Sequence, residues 1–551
     1  VTSLHRSIPI LATLVAFGCA APSGSTTNSP APASARASTQ AAITPEDLRQ
    51  RIFIYANDSM QGRETGSPGN LKAIQYIERE LRRLQLQPAG DSGGFFQAVP
   101  LERRDYPRDR KLQAGAVGLA IGTEYYPVQV SPTLQPLNAV QAIWAGEDGA
   151  GLTADQVRGK LVVLKSPLGA RSLSNPALLQ ATAISVAQWE SIDETSRNQL
   201  STQPAFGPPP TGPQRAVPTV IFTTAAAERA FFGGRESSTL TIGDVGVAIS
   251  GDLQPVKQRV TAYNVVAVLP GSDPALRGSY VAVGAHNDHL GMNPVAYDHD
   301  SVRTWHQLYW EAREKGAKPS SPELAATIRV NMDSLRRLGP VRRDSVFNGA
   351  DDDGSGSMAL LEIAEAMVAG VRPKRSTLFV WHAGEERGLL GSLHFTQNPT
   401  VPRDSIIAQV NIDMIGRGTP ADQAKGGPTY LGIVGSRRLS TEYGAFVETV
   451  NSRQPTPFAL DYTLDADGHP DNIYCRSDHY SYARYGIPVA FFFTGEHGDY
   501  HQVTDEPQYL DYPHYASITR FVQDLVVSVA NRSTRLVVDK PVPPLGSPCR
   551  Q

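Results

Sequence analysis

Between Pro68 and about Leu84 the apolar positions Leu71, Ile74, Ile77, Leu81 and Leu84 fall on one face at helical spacing, which predicts an amphipathic helix. An earlier helix start is written in Thr44-Pro45-Glu46-Asp47, which offers a cap, a proline in the first turn and early acids. A turn-rich loop over 61–67 lies between them, and 95–101 reads as extended. Short β-type runs follow at 118–121, 161–164, 219–222 and 245–249, separated by Pro, Gly and Ser clusters. They predict a strand-rich module over 111–258. Beyond it the pattern changes again. Buried-strand runs at 264–269, 280–284, 377–382, 406–414 and 488–493 alternate with helical positions such as 358–368. This alternation predicts an α/β fold with a mainly parallel sheet covered on both faces. A polar, aromatic-bearing stretch over about 293–345 interrupts the alternation and reads as an inserted helical excursion. The expected order is therefore 43–110 as the first part of the α/β domain, 111–258 as a β-rich insertion, 259–533 as the remainder, and 534–551 as a tail.

Composition changes the picture little. A chain of 551 residues with 40% hydrophobic and 19% charged positions is a globular protein of more than one core. Its net charge of -3 provides no basic field for nucleic acid. The N-terminus is more informative. His5 and Arg6 precede an apolar run over 8–17, then Gly18 and Cys19. The run is too short to span a bilayer and fits an export signal, with Cys19 placed as in a bacterial lipoprotein. The small, polar composition of 20–42 predicts a flexible tether. A cell-envelope lipoprotein is therefore expected, otherwise a periplasmic or extracellular protein, touching membrane only through a lipid on Cys19. Cys475 and Cys549, the remaining cysteines, make no disulfide framework, and spacing cannot show whether they meet.

Ten of the 12 histidines lie between His286 and His501, which invites a search for a metal site. Five segments place ligand-type residues at strand ends or loop starts. His286 and Asp288 follow a strand, where ligands gather in open α/β sheets, and Asp288 could orient the imidazole. Asp351, Asp352 and Asp353 open a helix; three adjacent carboxylates are costly without a cation, and one of them could bridge two metals. Glu385 and Glu386 follow another strand, so that one could ligate while the other takes a proton. Asp413 sits inside an apolar run and needs a partner. His501 lies in a loop after residues 491–493. Each segment alone is equally a polar turn or a capped helix. Together they offer two histidines and three carboxylates, a mixed N/O set suited to Zn²⁺, with Co²⁺ or Mn²⁺ as substitutes.

In order and spacing these segments resemble metallopeptidase family 28, whose members include leucyl-type aminopeptidases and glutamate carboxypeptidase. The likeness covers residues from Arg51 to about Val527, including the Gly62-Arg63-Glu64-Thr65-Gly66 loop and Ser477-Asp478-His479. Residues 157–164 and 216–221 are similar to the protease-associated domain that many members insert. The resemblance implies two Zn²⁺ per chain: His286 and Asp413 on one, Glu386 and His501 on the other, and Asp351 bridging. It also implies Glu385 as general acid/base, Asp288 and Asp352 as supporting residues, and Tyr474 as an oxyanion stabiliser. The chain departs from many members in the length of the 293–345 insertion.

The implied function is aminopeptidase action on peptides, with water activated between the metals and Glu385 moving its proton. A carboxypeptidase or dipeptidase is the alternative and would need cationic groups for a substrate carboxylate. A receptor-like binding protein or a one-zinc glutaminyl-cyclase-like transferase are rivals from other classes. The intact ligand set argues against the first of these.

Overall fold

The computed structural model describes residues 39–551 apart from 132–133, 166–174, 193–196, 198–199, 202, 211, 213–216 and 316–321. The expected export signal and nearly all of the tether lie outside the described residues. Thr44 caps helix α1 (Pro45–Tyr55) by accepting from the amide of Asp47, and Ser67 caps α2 (Pro68–Arg83) by accepting from Asn70. Each cap precedes a proline that needs no amide partner. Among the described residues no helix is long and apolar enough to cross a membrane.

The main sheet has ten strands: β1 (Gln87–Pro88), β2 (Phe96–Asp105), β3 (Ala205–Gly207), β4 (Val256–Leu269), β5 (Tyr280–His286), β6 (Ser376–His382), β7 (Ile406–Ile412), β8 (Tyr430–Val434), β9 (Ala459–Asp461) and β10 (Val489–Phe493). Their order is β9-β8-β10-β7-β5-β6-β4-β2-β3, with β1 beside β4. The sheet is mixed, which corrects the expectation of a mainly parallel one. Strands β10, β7, β5 and β6 run parallel, whereas β4 is antiparallel to both β6 and β2. Strand β8 is antiparallel to β10 at the other edge, and the antiparallel β4–β2 edge has a simple origin. Strands β2 and β4 form one long hairpin, with Asp105 opposite Val256, and the whole β-rich segment occupies the place of its turn.

That segment builds its own eight-stranded sheet. Leu112, Tyr125, Trp144, Leu161, Val163, Ile221 and Phe231 form a core separate from that of the main sheet. In the main sheet, Val265, Ala267 and Leu269 pack with α1, α2, α4 (Gly356–Ala369) and α5 (Tyr512–Ala530), while Val266 and Val268 enter a second cluster with Phe395 and Tyr482. Strand alternation sends neighbours to opposite faces, and both faces are covered, so the run 265–269 reads as continuously apolar.

Residues 291–347 leave the fold on a two-stranded stem, Gly291–Asp298 against Arg343–Phe347, which closes around α3 (His299–Glu314) and two shorter helices. The excursion is helical, as its sequence predicts, but its stem is extended. Cys475 and Cys549 form a disulfide that fastens the C-terminal tail beside residues 464–476. Gln551 adds to it by accepting from the amide of Tyr474 and donating to the Ala466 carbonyl.

Candidate metal centre

The centre is built at the carboxyl ends of the parallel strands, as an open α/β sheet favours. His286 is the last residue of β5 and is 1% exposed. Its Nδ1 donates to the Asp288 carbonyl at 3.1 Å, which leaves Nε2 bare. Nε2 faces Asp352 Oδ1 at 3.2 Å, Asp413 Oδ1 at 3.5 Å and Glu385 Oε2 at 3.9 Å. On the other side, His501 Nε2 lies 3.1 Å from both Asp352 Oδ2 and Glu386 Oε2.

Asp352 therefore stands between the two halves of the site, which corrects the expected bridge at Asp351. Asp351 turns away. Its Oδ1 accepts from the amide of Gly416 at 2.6 Å, and its Oδ2 faces His497 Nε2 at 3.1 Å. Asp353 is occupied as well, accepting from the amides of His286, Gly356 and Met414. By contrast Asp352 Oδ2 is buried and accepts no hydrogen bond. Of the three carboxylates only the middle one has an oxygen that accepts no hydrogen bond.

The other expected residues fall as follows. Asp413 Oδ2 accepts from Ser477 Oγ at 2.7 Å, and Ser477 in turn accepts from Asn411 Nδ2 at 2.8 Å. Asp288 supports the neighbouring loop: Oδ1 accepts from the amide of Glu385 at 3.1 Å and Oδ2 from Thr65 Oγ1 at 2.5 Å. Burial pushes its carboxyl up to about 6. Burial, with Asp413 and Glu386 adding repulsion, also drives the Glu385 carboxyl well above the usual range.

Tyr474 does not reach the cleft. It is 3% exposed, packed against His479 and Tyr480, with Arg438 over its ring at 4.6 Å. The tyrosine at the cleft is Tyr500, whose ring stacks on His501 at 3.8 Å. Its hydroxyl accepts from Arg476 Nη2 at 3.1 Å, and Arg476 Nη1 donates to Glu496 Oε1 at 2.8 Å. Sequence reasoning also missed His289, whose Nδ1 lies 2.7 Å from Glu386 Oε1 while its buried Nε2 has no hydrogen-bond partner. The only signals were the repeat of histidine three residues after His286 and the tyrosine adjoining His501. Met414, Ile473, Phe491 and Phe493 give the cleft an apolar wall.

Four carboxylates converging in a buried site repel one another unless cations intervene. Burial opposes charge on His501, yet Glu386 and Asp352 more than offset it and push that ring up to about 10. The donor set thus fits divalent cations, which would displace such protons. Two histidines and three carboxylates around one cleft, with a fourth carboxylate facing them, are the donor set of a divalent-metal centre.

Residues 264–526 match the model of Peptidase family M28. A probable leucine aminopeptidase of Trichophyton verrucosum is 30% identical over 181 residues, which cover 32% of this chain and 44% of that protein. Leupeptin-inactivating enzyme 1 of Streptomyces exfoliatus is 32% identical over 174 residues, covering 30% of this chain and 33% of that enzyme. The chain thus spans less than half the length of these curated relatives. The aminopeptidase of Aneurinibacillus sp. strain AM-1 shares the fold at a TM-score of 0.54 and 17% identity, covering 91% of this chain and 97% of that one.

Proposed function

We propose that this protein is an exported two-zinc exopeptidase that removes N-terminal residues from peptides. The observation that carries the reading is Asp352 between His286 and His501, with Glu385 facing the same cleft. His286 and Asp413 would hold one zinc, Glu386 and His501 the other, and Asp352 would be shared. Zinc bound there supplies Lewis acidity, lowering the pKa of water and polarising a carbonyl. Glu385, its carboxylate aimed into the cleft, takes the proton of the attacking water and returns it to the leaving amine. Asp288 holds the Glu385 backbone in place. Tyr500 accepts from Arg476, so its own proton is free to meet the oxyanion.

Aminopeptidase action is favoured over carboxypeptidase action by the acidic cleft, which attracts a substrate ammonium, and by the similarity to the leucine aminopeptidase above. One observation favours the alternative: Arg476 lines the cleft and is 40% exposed, so it could meet a substrate carboxylate. Matched peptides with free and blocked N-termini decide between them. Turnover of the blocked peptides alone would reverse the assignment. As part of the same reading, the 111–258 module is a protease-associated domain, and Cys19 carries the lipid anchor.

A further inference from the structure

Outside the cleft, His299, Asp344 and Glu506 bring one ligand atom each to within 4.8 Å of one another. His299 is 1% exposed, and its Nε2 is buried without a hydrogen-bond partner, although Glu506 Oε2 lies 3.3 Å away. Its Nδ1 lies 3.2 Å from Asp300 Oδ1. A histidine that donates Nδ1–H to a carboxylate presents Nε2 as a bare ligand, the usual arrangement behind a metal-bound imidazole. Asp344 spends Oδ1 on the amide of Val346. Burial raises its carboxyl, and Glu506 and Asp58 raise it further, as expected for carboxylates that face each other with no cation between them.

We infer that His299, Asp344 and Glu506 form a further divalent-cation site, which fastens the 291–347 insertion to the loop that carries His501. One imidazole and two carboxylates suit a borderline dication such as Zn²⁺ or Mn²⁺. The position gives the ion a purpose. His299 begins α3, Asp344 lies on the stem strand, and Glu506 follows His501 by five residues. The same helix already grips that loop through Arg303 near Asp499 at 3.4 Å and Arg313 against Glu496 at 3.2 Å. A cation at the base of α3 would lock the third point of this contact.

A competing arrangement needs no ion: Arg342 Nη2, 2.6 Å from His299 Nδ1, donates to it, and Nε2–H turns to Glu506. Metal content separates the two. The full chain is loaded with Zn²⁺, gel-filtered and analysed by mass spectrometry beside H299A, E506Q and D352N. The expected result is that H299A and E506Q each hold one ion fewer per chain than wild type. D352N, emptied at the cleft, keeps one ion, and adding Zn²⁺ raises its melting temperature by several degrees. The difference between variants carries the test, so it does not depend on how many ions the cleft holds. Should H299A and E506Q both match wild type while D352N loses its ions, the further site is excluded and the cleft assignment stands. Should D352N lose no ion while E506Q loses one, the cleft assignment fails and the further site stands.

Discussion

Asp352 Oδ2 lies 3.1 Å from His501 Nε2, on the far side of the carboxylate from the oxygen that faces His286. The neighbouring Asp351 serves the fold instead, through Gly416 and His497. The two residues are separable by substitution. D352N should lose the zinc held at the cleft together with nearly all turnover. D351N should keep its metal while losing about 1–3 kcal/mol of stability, because the Gly416 amide loses a charged acceptor. Metal content with chemical denaturation measures both, and a metal-depleted D351N would return the bridge to Asp351.

Glu385 and Glu386 are adjacent, but only Glu386 touches both His289 and His501. E385Q should therefore retain wild-type metal content while kcat falls about 10²–10⁴-fold, the usual contribution of a positioned general base. An E386Q variant should lose metal first. Full activity in metal-replete E385Q would remove it from the proton-transfer role.

What the sequence made legible follows from where each signal comes from. The strand 265–269 declared itself because alternate residues enter separate cores and every position is apolar, and 406–412 because it is buried throughout with only Gln409 and Asn411 polar. His286, Glu386, Asp413 and His501 were found because each ends or follows such a strand. The choice among Asp351, Asp352 and Asp353 was not legible: three identical side chains in one tight turn point in different directions, and only the amides of Gly416, His286 and Met414 determine which are taken. Tyr474 was misread for a similar reason. The single turn Ile473–Cys475 sends Ile473 toward the cleft and turns Tyr474 inward onto His479. The antiparallel edge was hidden because its partners, β2 and β4, are separated in sequence by the entire β-rich module.

Tyr500 and Tyr474 can be told apart by kinetics. Y500F removes the hydroxyl between Arg476 and the cleft, so kcat should fall about 10²-fold with a smaller change in KM. Y474F, whose ring packs under Arg438 away from the cleft, should leave kcat within about twofold. A large kcat loss in Y474F with normal Y500F activity would restore the sequence-based assignment.

The Cys475–Cys549 bond closes a stretch of 74 residues and sits directly before Arg476 and Ser477. Opening it should cost about 2–4 kcal/mol of stability through the freed unfolded chain. It should also raise KM, since Gln551 no longer steadies the amide of Tyr474. C549S and mild reduction of wild type should give the same KM shift. If reduction changes stability alone, the tail has no part in presenting Arg476.

Glu228, in the β-rich module, tests the pH dependence of stability far from any metal. It is 6% exposed with Oε1 unpartnered, and burial pushes its carboxyl from an ordinary 4.5 up to about 8, the Ala187 amide only partly opposing the shift. The folded state thus binds this proton more tightly than the unfolded chain does. The resulting stability is fully present below pH 4.5 and declines as pH rises through 8, at about 1.4 kcal/mol per unit over that window. E228Q keeps the neutral shape and cannot ionise. It should match wild type near pH 4.5 and exceed it by up to about 4 kcal/mol near pH 9. Urea unfolding followed across that range measures the difference, and parallel pH profiles for the two proteins would show that Glu228 ionises in the folded module as it does in water.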